Sequence, residues 1–203
     1  MKNIFKFIFF VFLLTIIQVN VKALDVNDHR IAVLVNDQLI TTYEVVQRMK
    51  MNAIFSSSDI TIENNNQLAN AAVDELINER LKSEKLSEYS ISVSDDEYLQ
   101  GENAFFENTA FTKTNIKEIF KINNINYNDF KEYLINEISW QKLISGMYYR
   151  LTSTTELEIA EIIEKNPNIS KVRAEDIIIQ RQLDLQSNKM IRDMFNEATI
   201  EYK

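Results

Sequence analysis

Residues 165–174 read KNPNISKVRA. They hold the single proline of the chain, Pro167, between two stretches whose apolar spacing is helical. A residue that precedes proline is pushed out of the helical region, so Asn166 should end the upstream helix, TTELEIAEIIEKN. Ser153 and Glu156 have the spacing of a capping box and are expected to start it. Downstream, RAEDIIIQRQLDLQSNKMIRDMFNEA regains helical spacing at Met190, Ile191, Met194, Phe195 and Ala198, and the final TIEYK alternates as a short strand does. Whether the break is a loop, a domain boundary or a place where something is missing depends on what stands upstream.

Working back, FKEYLINEISWQKLISGMYYRL sets Phe130, Leu134, Ile138, Leu143, Met147 and Leu151 on one stripe, which predicts a long helix with a buried face. NIKEIFKIN predicts a shorter one before it. Ser94 and Glu97 form a capping box that should open DDEYLQGENAFFEN. QLANAAVDELINERLKSEKLSEY offers Ala72, Leu76, Leu81 and Leu86 to a core, after the polar loop SSSDITIENNN. Thr41 and Glu44 cap a helix through TYEVVQRMKMNAIF, and just before it IAVLVNDQLIT carries two β-prone runs around Asn36-Asp37, residues suited to a tight turn. The fold class expected is mainly α with a small β hairpin or sheet.

The first residues read as an address. MKNIFKFIFFVFLLTIIQVNVKA has Lys2 and Lys6 before an apolar run over residues 7–17, then polar residues and VKA, the pattern of a signal peptide cut between Ala23 and Leu24. Gln18, Asn20 and Lys22 interrupt the run before the roughly 20 residues that a spanning helix needs, so no stable membrane insertion is expected after removal. Without Lys2, Lys6 and Lys22 the chain keeps 19 basic against 30 acidic residues, a net charge of −11. That balance weighs against nucleic acid as a partner.

Composition narrows the chemistry further. The chain has no cysteine, so thiol catalysis, disulfides and thiolate metal sites are excluded. Its one histidine, His29, reads as a solvated imidazole, and no Ser/His/Asp set or glycine-rich phosphate loop can be assembled. Asp95-Asp96 falls in the first turn of an expected helix, where acids favour the macrodipole. No catalytic, cofactor or metal residue is assigned. What remains is adaptable apolar surface: Met49, Met51, Ile54 and Phe55 at the end of one helix, and Phe105, Phe106 and Phe111 in AFFENTAF. The competing reading of each is a core residue.

Taken in order, IAVLVNDQLITTYEV, AAVDELINERLKSEKLSEYSISVSDDEY and NINYNDFKEYLINEISWQKLI resemble the N-terminal domain of the SurA family of periplasmic chaperones and peptidyl-prolyl isomerases, over about residues 30–164. The tail from Val172 resembles the family's C-terminal helix and final strand. The resemblance implies that residues 199–202 pair with residues 31–35, and that the exported chain holds unfolded outer-membrane proteins in the periplasm. It also implies parvulin-type isomerase domains between the N-terminal domain and the last helix. Here that interval is residues 167–173, far below the roughly 50 residues of the smallest domains, so the isomerase is expected to be missing. The expected organisation is a leader over 1–23, a chaperone domain over 24–166, a junction over 167–173 and a clasping helix and strand over 174–203. The client surface would be the Met and Phe set, with no cofactor. The alternatives are a prolyl isomerase, or a structural subunit with one dedicated partner; the oligomeric state is left open.

Overall fold

The computed structural model describes residues 29–61 and 64–203; the leader and its cleavage point at Ala23 and Leu24 lie outside the described residues. Strands β1 (Ile31–Val35) and β2 (Gln38–Thr41) form the expected antiparallel hairpin, with Val35 opposite Gln38 and a register shift between Ile31 and Val33. Val33, Val35 and Ile40 point inward and are buried. The turn works because Asn36 accepts a left-handed φ of 51°. Strand β3 (Ile200–Tyr202) lies on the other side of β1, pairing Val33 with Tyr202 and Val35 with Ile200, so the order is β2-β1-β3.

Helices α1 (Thr42–Phe55), α2 (Asn65–Glu88), α3 (Asp95–Glu107), α4 (Lys113–Ile122), α5 (Tyr127–Tyr148), α6 (Glu156–Lys165) and α7 (Lys171–Glu197) complete the described fold. Thr41–Glu44 and Ser94–Glu97 make reciprocal capping boxes, as their spacing predicts. Where a helix must turn back, the chain uses Ser57, Ser90 and Asn124, each at φ 52°, in place of glycine. Helix α6 stops at Lys165, with Asn166 out of the helical region, at φ −140° and ψ 74°, before Pro167. Only residues 166–170 separate α6 from α7, and the two helices pack on each other through Ile159, Ile162, Ala174 and Ile178. No folded isomerase domain stands in that interval.

Three expectations need correction. The cap of α6 is Thr155 with Glu158, not Ser153 with Glu156. Both pairs have the right spacing, but Ser153 is held elsewhere: its N–H donates to Gln182 Oε1 at 3.1 Å and its carbonyl accepts from Gln182 Nε2 at 2.7 Å. The buried stripe of α5 continues from Ile144 to the half-buried Tyr148, one turn on, so Met147 faces away at 36% exposure, and Leu151, past the end of the helix, is 77% exposed. Trp140 and Ile144 are buried in its place, with the indole N–H donating to Ser187 Oγ at 2.8 Å. On α7, Phe195 is exposed, while Met190, Ile191 and Met194 pack inward as expected.

Helix α5 is the hub, packing on α2, α3, α4 and α7. Its approach to α3 is close: a Cβ on Gly101 would stand 2.8 Å from Ile138 Cγ1. Gly146, on the same helix as Ile138, has open space around it.

Two stability measurements by urea unfolding follow. Replacing a helical glycine with alanine normally stabilises by about 1 kcal/mol. Gly146→Ala should show that gain, whereas Gly101→Ala should lose about 1 kcal/mol as the clash outweighs propensity. Asn36 donates from its backbone to the Thr199 carbonyl at 2.8 Å, accepts from the Thr199 N–H at 2.9 Å and donates from Nδ2 to Glu84 Oε2 at 2.8 Å. Asn36→Ala should cost about 2 kcal/mol, combining left-handed strain with two lost side-chain bonds, and Asn36→Gly about half that.

Candidate functional site

A groove of about 730 Å³ opens between α1, α2 and the end of α3. Phe55, Leu68 and Phe105 supply its apolar surface, with Met51 buried behind them, and Asn52, Glu75, Lys82 and Glu137 its polar rim. Helical spacing places these groups: Met51 and Phe55 are one turn apart on α1, as are Glu75 and Glu79 on α2 and Tyr133 and Glu137 on α5. The rim is tied together by Lys82 Nζ to Glu137 Oε1 at 2.5 Å and by Asn52 Nδ2 to Glu75 Oε2 at 2.9 Å.

Behind the apolar surface is a cluster of rings. Phe55 meets Phe105 edge-on at 5.1 Å and Phe111 at 5.7 Å, and Phe130, fully buried, contacts Phe55, Phe105, Phe106 and Phe120. Edge-to-face packing at these separations is the favoured geometry for aromatic quadrupoles. The structure thus brings together six of the seven residues singled out from sequence: Ile54, Phe55, Phe105, Phe106 and Phe111 are half-buried around this cluster, and Met51 is inside it. Met51 is 4% exposed at its centre. Met49 is 5% exposed and belongs to a different core, under the sheet, because it lies on the opposite flank of α1. Neither methionine presents free surface in this conformation.

At one end the groove is closed by Arg48, which is 5% exposed. Its guanidinium lies 5.0 Å from the Tyr133 ring centroid and bonds Glu79 Oε1 at 2.5 Å and Glu75 Oε2 at 3.4 Å. Burial works against its charge, but the paired carboxylates outweigh that and hold its pKa above the ordinary value. Burial and the nearby Glu137 push the Tyr133 hydroxyl up to about 12. Beyond this post lies a second cavity of about 200 Å³, lined by Tyr43, Gln47, Ile125, Asp129 and Asn136. There Asp129 is raised by burial and by the negative charges of Glu132 and Glu44.

Sequence reasoning missed Arg48, Leu68, Glu75, Glu79, Lys82 and Tyr133. The available signal was a charged residue, Arg48, three residues from both Val45 and Met51 on a buried side of its helix, with acids one turn apart on the following helix. Among the described residues no group of three potential metal ligands converges, and no helix is long and apolar enough to cross a membrane. His29 is exposed, its ring 5.0 Å from that of Tyr43. The arrangement offers contact surface for apolar side chains and ion-paired edges, with no nucleophile set against a base.

Comparison with known proteins gives this geometry a family. The family described as SurA-like N-terminal domain matches residues 1–144. Chaperone SurA of Hydrogenovibrio crunogenus is 23% identical over 165 residues, covering 80% of this chain but 37% of its own length. The chain therefore spans little more than a third of that relative. A solved chain from work on PEB4 and the periplasmic protein Cj1289, described as two structurally related SurA-like chaperones of Campylobacter jejuni, aligns at 16% identity with a TM-score of 0.42, covering 85% of this chain and 98% of its own. With a family match over more than two thirds of its length, and a hairpin, capped helices and returning strand in the order its sequence predicted, this chain belongs to the SurA-like N-terminal domain family.

Proposed function

We propose that this protein is a periplasmic holdase that covers the exposed apolar and aromatic segments of unfolded outer-membrane proteins during transit. The observation that carries the reading is the phenylalanine-lined groove on a chain of the SurA-like family. Holding of this kind needs no chemistry. It needs a concave, adaptable apolar surface that makes many modest contacts without demanding one client sequence. Aromatic rings supply large contact area with few rotatable bonds, and the ion-paired rim keeps the mouth wetted between clients. The name of the curated relative, Chaperone SurA, points the same way.

In this proposal residues 1–23 are the leader, residues 24–166 carry the groove, and the clasp of residues 174–203 completes the unit across the short junction at 167–173. Ile54, Phe55, Phe105, Phe106 and Phe111 are the client contacts, joined by Leu68. The protein acts without prolyl isomerisation, since the α6–α7 interval holds five residues. Release follows from client folding, which suits a compartment without ATP.

Protein recovered from the periplasmic fraction should have the intact mass of a chain beginning at Leu24; a mass that retains the apolar leader would place the protein on the membrane. The same material should suppress aggregation of a denatured outer-membrane β-barrel, and should not accelerate cis/trans exchange of a proline-containing tetrapeptide. Leu68→Ser and Phe105→Ser should each weaken client binding about tenfold, the size of one lost apolar contact, with helicity retained. Acceleration in the peptide assay would make the protein an isomerase. Failure to hold clients, with one stoichiometric companion recovered instead, would make it a dedicated subunit.

A further inference from the structure

Helix α3 carries a buried carboxylate that the groove does not use. Glu102 is 1% exposed. It accepts from the Tyr98 hydroxyl at 2.7 Å and from the Tyr127 hydroxyl at 2.9 Å, both on Oε1, and its Oε2 pairs with Lys113 Nζ. These donors come from three elements: Tyr98 from α3, Lys113 from the first turn of α4 and Tyr127 from the first turn of α5. Lys131 lies 5.3 Å over the Tyr98 ring and Lys117 4.8 Å over the Tyr127 ring, so the other charges facing this node are also positive.

The position of the node gives it leverage. Helices α3 and α4 pack chiefly on α5, and with the loop that joins them they contribute Phe105, Phe106, Phe111, Ile116 and Phe120 to the ring cluster. The other half of the cluster, Met51, Ile54 and Phe55 from α1 with Phe130 and Leu134 from α5, lies beneath. The far end of α3 is secured differently, by Lys142 Nζ, which bonds Glu97 Oε1 at 2.6 Å and the Ser92 carbonyl at 3.0 Å. Glu97 is solvated, so its protonation leaves no buried group stranded. Glu102 differs in this respect.

We propose that α3 and α4 form a lid over the phenylalanine cluster, latched by the buried carboxylate of Glu102, and that acid releases the lid by protonating it. An ionised carboxylate is acceptor-only and satisfies all three donors, whereas the protonated acid must itself donate and faces an ammonium that cannot accept. Protonation therefore removes the ion pair, leaving the half-exposed Lys113 ammonium to water, and puts on the buried carboxyl a proton that only a tyrosine oxygen can accept, at the expense of that hydroxyl's own bond to Glu102. Burial alone would raise the Glu102 pKa, but the bonds from Lys113, Tyr98 and Tyr127 outweigh it and hold the carboxyl below its ordinary 4.5. A depressed carboxylate contributes its stabilisation fully above the unfolded value and loses it as pH falls through the folded one, so the latch holds at neutral pH and opens below about pH 4.5. Opening would bare both halves of the ring cluster and enlarge the apolar surface of the groove. This inference deepens the holdase reading and rests on it for its biological sense, but the lid itself can be tested without any client.

The chain supplies its own control, because its single tryptophan, Trp140, sits in a separate core with Leu86, Leu143, Ile144 and Leu183. The purified protein is titrated from pH 7 to pH 3 with the uncharged dye Nile red, while Trp140 emission and far-UV helicity are followed. Dye emission should rise several-fold below pH 4.5 before Trp140 emission changes. Tyr127→Phe removes one hydroxyl donor without altering shape, and should move the dye midpoint to higher pH. Glu102→Gln should bind dye at pH 7 with no further acid step. A dye rise that coincides with the Trp140 change in one transition, or a Tyr127→Phe midpoint equal to that of the parent, would overturn the latch, whether or not the glutamine variant folds. A clear early dye step without aggregation suppression at either pH would support the latch and count against the holdase reading instead.

Discussion

The fold depends on β1 receiving hydrogen bonds on both edges. Its hairpin partner β2 begins seven residues after it does, but the other edge is filled by β3 from far along the chain. A two-stranded hairpin alone is marginal in water, so the last residues complete the smallest sheet that can stand against α1 and α2. That closure dictates the course of α7. Its 27 residues, at about 1.5 Å each, reach roughly 40 Å from the α6 contact to the sheet, and on the way it crosses α2 and α5. The short junction after Pro167 has a structural consequence here: it reverses the chain so that α7 can start beside α6 and return to where the chain entered.

With the ends tied, α5 becomes the beam on which two separate cores rest. Its first half presents Phe130 and Leu134 to the ring cluster, and its second half presents Trp140, Leu143 and Ile144 to α2 and α7. The groove lies over the first of these, at the side the clasp does not reach. Arg48 marks its limit. A buried guanidinium gains little net stability from its pairs, since desolvation cancels much of the Coulomb gain. What it contributes is spacing: a rigid planar group stacked on Tyr133 and forked toward Glu75 and Glu79 keeps α1, α2 and α5 apart, where leucine would let them close.

How much of this was legible in the sequence follows from how local each feature is. The hairpin turn at Asn36, the caps at Thr41 and Ser94 and the end of α6 before Pro167 depend on a few neighbouring residues, and all were read correctly. The pairing of β3 with β1 is non-local and came only through family resemblance. Periodicity identified the α5 stripe but continued it through Met147 to Leu151, because steps of three to five residues do not decide between Met147 and Tyr148 or show where the helix ends. The two overlapping capping boxes at Ser153 and Thr155 are equivalent locally; a contact from Gln182, on a distant helix, separates them. The groove was half visible. Its phenylalanines stood out by composition, but nothing local singles out Arg48, Glu79 or Glu102, since burial of an ion is decided by partners far along the chain.

The same rings serve as core and as surface, and this bears on how the proposed holding can be both broad and reversible. Phe55 meets both Phe105 and Phe111 edge-on, and all three are only half-buried, so each has one side satisfied within the protein and one side open. A client side chain entering the groove would add contacts on the open side, or replace a ring contact with one of similar kind. Exchange between equivalent apolar contacts changes the free energy little, whichever aromatic or aliphatic residue the client brings. Affinity then comes from the number of modest contacts along a client, and it falls away as the client buries those side chains in its own core. A site built from specific buried hydrogen bonds would discriminate between clients and hold on to the chosen one. A half-open phenylalanine cluster with an ion-paired rim would do neither, which is what the proposed holding requires if release is to need no energy source.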